Sequence, residues 1–220
     1  MKIFNLKNIS FIFLLIFFIF FLIEIFLRIL IVEYPIFQRH DILRGFSLLP
    51  NSHGTWTREG RGKIMINDDG LRDINHKINK SNNSIRIAIL GDSFAEARSV
   101  NLDDTFWFKL KKNLKNCYNF HKGNKIEIIN FGISEYGTTQ QYLTLKNNVW
   151  KYNPDIILLA FYSGNDVSDN VKSLSQKKYR PYFLFNGDAI VDIDNSFLDS
   201  KPYKMLSSFA GQAFIKLSQY

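Results

Sequence analysis

The chain has 220 residues, of which 46% are apolar and 15% aromatic, so it can form one packed domain of ordinary size and is not globally disordered. Its single cysteine, Cys117, excludes an intrachain disulfide and any zinc site that needs several thiolates. The net charge of +8 comes mostly from scattered lysines; the densest group, at positions 109–115, is more typical of a solvated helix face than of a nucleic-acid site.

The N-terminal end carries the strongest compositional signal. Residues 9–32 are apolar, with no charge from Ile9 to Ile23 and only Glu24 and Arg28 beyond. A helix over this range would be about 36 Å long, and a bilayer's hydrocarbon layer is about 30 Å thick. Glu24 and Arg28 are four residues apart and so can partly neutralise each other on one helix face. We predict a transmembrane signal anchor preceded by a short tail, residues 1–8.

A cleaved signal peptide is the alternative to an anchor. Its apolar core is usually shorter and is followed by small residues, which are missing after residue 28. Lysine and arginine lie on both sides of the run and do not decide its orientation. The very short tail favours an N-terminus inside the cell. We therefore expect a single-pass protein of the cell membrane whose main domain is extracytoplasmic, either periplasmic or extracellular.

The rest of the chain divides into a polar connector, residues 33–83, and a main domain, residues 84–220. Isoleucine-rich apolar runs bounded by loops are typical of buried strands in a parallel sheet, and they alternate here with amphipathic helical patterns. This alternation predicts β-α-β units and a doubly wound α/β domain. We predict strands at 63–66, 85–90, 125–131 and 155–162. We predict helices at about 105–117, 138–150 and 203–220, the first with Phe106, Leu110 and Leu114 on one stripe. A hairpin is predicted at 182–193, with its turn at Asn186-Gly187.

Polar, glycine-containing turns follow three successive predicted strands, at residues 91–94, 130–137 and 163–166. Ligands of open parallel sheets bind beyond the carboxyl ends of the strands. Ser93, on a tight strand-to-helix turn, has the exposure that a nucleophile needs. Asn165 and backbone N–H groups can stabilise an oxyanion, each donor being worth about 3 kcal/mol. Singly, Ser93 is better explained as a helix cap and Asn165 as a turn residue; together, the three turns favour an active site.

Three segments carry a resemblance to a known family. "AILGDSFAEARSV", "NFGISEYGTTQQY" and "LLAFYSGNDVSDN" resemble the first three motif blocks of the SGNH (GDSL-type) hydrolases, and "INDDGLRD" and "YRPYFLF" resemble segments of their membrane-anchored bacterial members. The similarity covers about residues 45–200. It implies a flavodoxin-like three-layer α/β/α fold, here with an incomplete parallel sheet, and ester hydrolysis or acyl transfer without a metal or cofactor.

The resemblance also assigns the site. It makes Ser93 the nucleophile, and the N–H of Ser93, an N–H of the second block and the side chain of Asn165 the oxyanion hole. The second-block donor is Glu135, where the family often has glycine, or alternatively Gly132. Supporting positions are Asp92, Gly164 and Asp166.

One departure from the family concerns the general base. The family takes it from an Asp-x-x-His block near the C-terminus, whereas the Asp-x-x-His of this chain, Asp73 to His76, precedes the nucleophile block and is not expected to serve. The other histidines, His40, His53 and His121, are expected at the surface. The simplest expectation is that the sequence is the N-terminal part of a longer hydrolase, and that a sheet ending after three strands exposes an apolar edge.

The leading hypothesis is thus a membrane-anchored esterase or acyl-transfer enzyme that acts on esters, including O-acetylated carbohydrate. The alternative is a catalytically silent carbohydrate-binding or scaffold protein of the cell envelope with the same fold. A nucleotide-binding module ranks last because G-x-G-x-x-G and a Walker-type lysine are missing. An α/β-hydrolase is disfavoured because Ala95 stands where G-x-S-x-G requires its last glycine. No nucleic-acid partner is expected, and the oligomeric state is left open.

Overall fold

A computed structural model of the protein describes residues 6–29, 35–117, 120, 122–175, 177–208 and 211–213. The chain forms two compact units, Met1–Tyr34 and Pro35–Tyr220. The first contains helix α1, Leu6–Ile29. The second contains strands β1 Gln38–Asp41, β2 Gly45–Leu48, β3 His53–Trp56, β4 Gly62–Met65, β5 Ser84–Gly91, β6 Lys125–Asn130, β7 Ile156–Ala160, β8 Tyr182–Asn186 and β9 Ala189–Asp194, and helices α2 Ser93–Glu96, α3 Phe106–Lys115, α4 Thr138–Thr144, α5 Asp166–Asp169 and α6 Lys201–Ser207.

The predicted N-terminal apolar helix is confirmed as helix α1. Its stretch Asn8–Leu27 is long and apolar enough to cross a membrane, and none of it is buried inside the protein. A signal sequence at the N-terminus would have the same character, so the helix by itself fits either role. The predicted end of the span at residue 32 and the side chain of Arg28 lie outside the described residues.

The second unit is built on a parallel sheet of three strands in the order β6-β5-β7. All three strands were predicted, and their ends agree with the prediction within two residues. Strand β5 lies in the centre and pairs with both neighbours. The prediction of an α/β domain with a parallel sheet is therefore confirmed.

Helical segments cover both faces of this sheet. On one face, Ile87 and Ile89 of β5 pack in a buried cluster with Trp107 of α3. On the other face, Leu90 of β5 packs in a second cluster with Val149, in the helical segment that continues α4. Because side chains alternate along a strand, the central strand supplies residues to both clusters. The result is a core on each side of the sheet.

The buried face of α3 differs from the prediction. Phe106 is 43% exposed, whereas its neighbour Trp107 is buried, and Leu110 and Leu114 pack against the same cluster as Trp107. The indole N–H of Trp107 donates to the carbonyl oxygen of Ala95 at 3.0 Å. This hydrogen bond satisfies the polar end of the ring, so the larger aromatic side chain faces the core.

The helix predicted at 138–150 exists but changes its geometry along its length. It begins as α4, continues as a π-helix over Leu145–Val149 and ends in a 3₁₀ turn over Trp150–Tyr152. Helical periodicity alone does not distinguish these forms, because a local π-helix shifts the face by only one residue.

The segment that was interpreted as a polar connector with one short strand contains four strands. Strands β1 and β2 form one antiparallel hairpin, and β3 and β4 form another. Phe46, Leu48 and Ile64 of these hairpins pack in a buried cluster with Ile133 and Tyr136. These residues therefore contribute to the core of the second unit.

The C-terminal part of the described chain contains the predicted hairpin, formed by β8 and β9, with Gly187 in the turn at φ +60°. The helix predicted at 203–220 begins earlier, as α6, and ends at Ser207. A short helical stretch follows at 211–213, and residues 214–220 lie outside the described residues. Among the described residues, strand β7 lies at one edge of the sheet, and its Leu159 is 46% exposed.

Candidate active site

The three polar turns lie at adjacent strand ends on one edge of the sheet. In the register of the strands, Gly91 at the end of β5 is opposite Ala160, the last residue of β7. On the other side, Ile89 is opposite Asn130, the last residue of β6. Since all three strands run parallel, the turns that follow them leave the sheet side by side.

Ser93 lies in the turn that follows the central strand. It is the first residue of α2 and is exposed, and the residue that caps this helix is Asp92, whose Oδ1 accepts from the N–H of Phe94 at 2.9 Å. In the described part of the chain the hydroxyl of Ser93 forms no hydrogen bond. As the first residue of a helix, Ser93 also has no intrahelical partner for its N–H.

Gly91 makes the tight turn before Ser93 possible. A Cβ atom at this position would lie 2.7 Å from Cβ of Ala95 and 3.2 Å from Cβ of Ala160. The first distance is shorter than carbon atoms tolerate, so a side chain here would separate α2 from the sheet. Glycine therefore allows the helix to start directly above the end of β5.

Glu135, in the second turn, has a backbone conformation that glycine adopts more easily than other residues. Its φ is +72°, in the left-handed region that disfavours residues with a Cβ. Its carbonyl oxygen accepts from Nη1 of Arg180, which is buried. Among the hydrogen bonds of the described residues, the N–H of Glu135 donates to none, so it is free as a donor.

The side chain of Glu135 is held by two partners outside the turn. Its Oε2 lies 2.7 Å from Nζ of Lys177 and accepts from the hydroxyl of Tyr179 at 2.7 Å. Burial opposes ionisation, but these two partners outweigh it and lower the pKa of Glu135. The carboxylate is therefore charged and fixed at neutral pH.

Gly132 has a packing role in the structure. Its N–H donates to Oδ1 of Asn130 at 3.0 Å, so this donor is already engaged. A Cβ at Gly132 would lie 2.3 Å from Cβ of Ala95, which leaves no room for any other residue. Of the two second-block donors that the sequence suggested, Glu135 is the one with a free N–H.

Asn165, in the third turn, is half-buried just before α5. Its Nδ2 donates to Oδ2 of Asp169 at 3.2 Å, and its Oδ1 is buried without a partner. Because a primary amide has two N–H bonds, one donor remains for a ligand. Gly164 makes this turn close: a Cβ there would lie 2.5 Å from the ring of Tyr162.

Two buried carboxyl groups, Asp92 and Asp166, accompany the first and third turns. Oδ2 of Asp166 accepts from the N–H of Tyr162 at 2.8 Å, which fixes the start of the third turn. Oδ1 of Asp166 and Oδ2 of Asp92 are buried without partners. Burial, together with the nearby carboxylates of Asp92 and Asp169, raises the pKa of Asp166.

An exposed aromatic pair, which the sequence analysis missed, connects the first and third turns. The rings of Phe94 and Tyr162 lie 4.5 Å apart between centroids and are 59% and 44% exposed. Phe94 directly follows Ser93, and Tyr162 precedes Gly164. The signal available in the sequence was Phe94 in the first predicted turn and Tyr162 at the end of the strand that precedes the third.

Histidines are the candidate general bases for Ser93, and three of them lie among the described residues. Nε2 of His76 lies 3.1 Å from Oδ2 of Asp73, and both side chains are buried. His40 contacts the ring of Tyr203 and is half-buried, so its predicted surface location is wrong, and burial lowers its pKa. His53 is exposed as predicted, and His121 lies outside the described residues. Among the described residues no histidine hydrogen-bonds to Ser93.

Within the described ranges, no group of three or more histidine, cysteine, aspartate or glutamate side chains is arranged to hold a metal ion. The site therefore consists of an exposed serine hydroxyl, free N–H donors and an aromatic surface at one sheet edge. Comparison of the chain with protein-family models, with curated proteins and with solved structures found no match.

Proposed function

We propose that the protein is a membrane-anchored serine ester hydrolase or acyl-transfer enzyme of the SGNH type, with a flavodoxin-like fold. The observation that carries this proposal is the position of Ser93, exposed and without a hydrogen bond among the described residues, at the start of a helix that follows the central strand. The turns on either side supply the free N–H of Glu135 and the amide of Asn165. A nucleophile and oxyanion donors on adjacent turns suit acyl transfer.

In this mechanism Oγ of Ser93 attacks the carbonyl carbon of an ester. The N–H groups of Ser93 and Glu135 and the remaining amide N–H of Asn165 stabilise the oxyanion, each by about 3 kcal/mol. The alcohol leaves, and the acyl group stays on Ser93 until water or an acceptor hydroxyl removes it. The proton of Ser93 requires a base within hydrogen-bond reach, and the family resemblance implies a histidine for that role.

The proposed substrate class is O-acylated carbohydrate outside the cytoplasm. Exposed aromatic rings stack on the apolar faces of sugars, and Phe94 and Tyr162 provide such a surface next to Ser93. Helix α1 has the length and apolarity of an anchor that would keep the enzyme at the membrane. Ester groups on envelope polysaccharide would then lie within reach of the site.

A binding protein of the same fold is the second candidate. The position of His76 favours this candidate, because the side chain pairs with buried Asp73 and does not serve Ser93 as a base. In that case the three turns and the aromatic pair would hold a carbohydrate without cleaving an ester. The two candidates differ in whether Ser93 forms a covalent intermediate.

Turnover of a simple ester tests the proposal. The native protein, extracted from the membranes of its source in a nonionic detergent, should hydrolyse p-nitrophenyl acetate. Ser93→Ala should lower kcat by about three orders of magnitude or more, because the covalent step is lost. Ser99→Ala, in the loop after α2, serves as the matched control and should keep the native rate. Unchanged turnover in Ser93→Ala would refute the nucleophile assignment; carbohydrate binding without any turnover would favour the binding protein.

A further inference from the structure

A second polar site lies in the second unit, and the turn that contains Ser93 contributes no residue to it. It is a cavity of about 50 Å³. One buried water needs only about 10–15 Å³ of such space, so the cavity has room for a larger polar group. The lining residues that matter here are Arg39, Arg44, Asp69, Asn148, Lys151 and Tyr152.

The charges that line this cavity leave an excess of positive charge. Arg44 is neutralised by Asp41, with Nη2 and Oδ2 2.5 Å apart. Arg39 donates its Nε to the hydroxyl of Ser47 at 3.2 Å, and in the part of the chain that the structure describes neither Arg39 nor Lys151 forms an ion pair. Against these two cations stands one lining carboxylate that is not ion-paired, that of Asp69.

A buried hydroxyl group without a partner lies in the same cavity. The OH of Tyr152 is buried and forms no hydrogen bond. Burial and the neighbouring Asp69 raise the pKa of Tyr152, so the hydroxyl keeps its proton and is a donor. The hydroxyl thus has the carboxylate of Asp69 beside it but no close hydrogen bond, and a bound oxyanion would supply one.

The local backbone places these groups in the cavity by an uncommon geometry. Asn148 belongs to the π-helix Leu145–Val149, and Lys151 and Tyr152 to the 3₁₀ turn that follows. π-Helices are rare and often occur at functional sites, because the extra residue redirects the side chains after it. Here the redirected side chains that line the cavity are the amide of Asn148, the ammonium group of Lys151 and the phenol of Tyr152.

We infer that this cavity binds a small tetrahedral oxyanion, namely a phosphate group, held by Arg39, Lys151 and the hydroxyl of Tyr152. The planar guanidinium group offers paired N–H donors to phosphate oxygens, and the ammonium group adds a second charge. The phosphate is either a free ion or the phosphate monoester of a sugar, because both present the same oxygens. This site does not depend on the chemistry of Ser93.

Isothermal titration of the full chain in a nonionic detergent tests the inference, with inorganic phosphate and with glucose 1-phosphate as the probes. Both Arg39→Gln and Lys151→Gln should weaken binding about tenfold, since each removes a charge-assisted hydrogen bond. Both side chains are exposed, so the fold should persist. Lys146→Gln removes the same charge from the π-helix without touching the cavity and should leave the affinity unchanged.

The carboxylate of Asp69 supplies the sharpest comparison. Asp69→Asn removes the repulsion between this side chain and an oxyanion, so phosphate should bind more tightly to the variant.

Tighter binding of inorganic phosphate than of glucose 1-phosphate identifies the free ion as the ligand, and the reverse order identifies a phosphate ester. Failure of both probes to bind, or an affinity that Arg39→Gln and Lys151→Gln do not change, would overturn the inference.

Discussion

The left-handed backbone conformation of Glu135 is seen in the structure but could not be predicted from the sequence. The residue holds a left-handed conformation at φ +72° and is stabilised there by Arg180, Lys177 and Tyr179. The exposed part of that network is worth about 0–1 kcal/mol, which is comparable to the cost of the backbone strain. These contacts allow a residue with a Cβ atom to hold this conformation.

We expect Glu135→Gly to be more stable than Glu135→Ala. Both variants lose the contacts to Lys177 and Tyr179, but only alanine keeps a Cβ in the left-handed conformation. The difference in free energy of unfolding should be about 1 kcal/mol in favour of glycine. Urea denaturation of the full chain in detergent measures it. Equal stability of the two variants would show that the backbone at residue 135 is not strained.

Asp166 is a buried carboxyl group that makes the fold sensitive to pH. Burial, with the carboxylates of Asp92 and Asp169, raises its folded-state pKa above the ordinary value of about 3.9. As pH falls through the raised pKa, the folded chain takes up a proton before the unfolded chain does. The contribution of Asp166 to the free energy of unfolding therefore increases from neutral pH downward, until the unfolded pKa is reached.

Asp166→Asn should remove this dependence. The amide oxygen of the asparagine can take the place of Oδ2 and accept from the N–H of Tyr162. The buried charge is gone, so the variant should exceed the native chain in stability at pH 7. The difference should shrink as the pH is lowered toward 4. Exposed Asp188, in the β8–β9 turn, supplies the control Asp188→Asn, which should show no such trend. A stability difference that is independent of pH would contradict the raised pKa.

Among the strands and helices, those with a strong local signal were predictable from the sequence. The isoleucine-rich runs of β5, β6 and β7 predicted a buried parallel sheet, and Thr105 marked the start of α3, where its hydroxyl caps the N–H of Phe108. Such signals depend on residues close together in the sequence. They are strong because a strand covered on both faces must be apolar throughout.

Elements that depend on distant partners were missed. Strands β1 and β3, with the sequences QRHD and HGTW, are short and polar, and they form only because each pairs with the next strand. Leu110 and Leu114 of the predicted α3 stripe do pack against the core, but Trp107 takes the buried place expected of Phe106, because its hydrogen bond to Ala95 is not visible in a helical pattern. The π-helix after α4 left no pattern at all.

Strand β7 is unusual for a parallel strand because it is exposed. Its side chains Ile156 and Leu159 are 39% and 46% exposed, and within the described residues it pairs on one side only, with β5. Parallel strands are normally covered on both faces and at both edges. The third turn, with Asn165, follows this strand, so the candidate site lies next to the most open edge of the sheet.

Across the chain, the sequence located the candidate site better than it described the chemistry around it. Ser93, Glu135 and Asn165 follow three neighbouring strand ends, as the topology required. The aromatic pair at the site was missed because its members are far apart in the sequence. Asp73 and His76 were noted as a sequence pattern, and the structure adds that their side chains form a buried pair.

The two units contribute different properties to the proposed function. Helix α1 is apolar along the whole stretch Asn8–Leu27 and would fix the protein at a membrane. The second unit carries the sheet edge with Ser93 and, separately, the basic cavity with Arg39 and Lys151. The proposed enzyme would then carry its ester site and its phosphate site on the same unit.

The most direct test of the proposed serine chemistry is covalent labelling of the native protein by a fluorophosphonate, with the modified peptide identified by mass spectrometry. A fluorophosphonate reacts with a serine that is activated as a nucleophile and not with ordinary surface serines. We predict one adduct, on Ser93, and none on Ser99 or Ser163. An adduct on another serine, or none under conditions that label an active serine esterase added to the same sample, would contradict the assignment of Ser93 as the nucleophile.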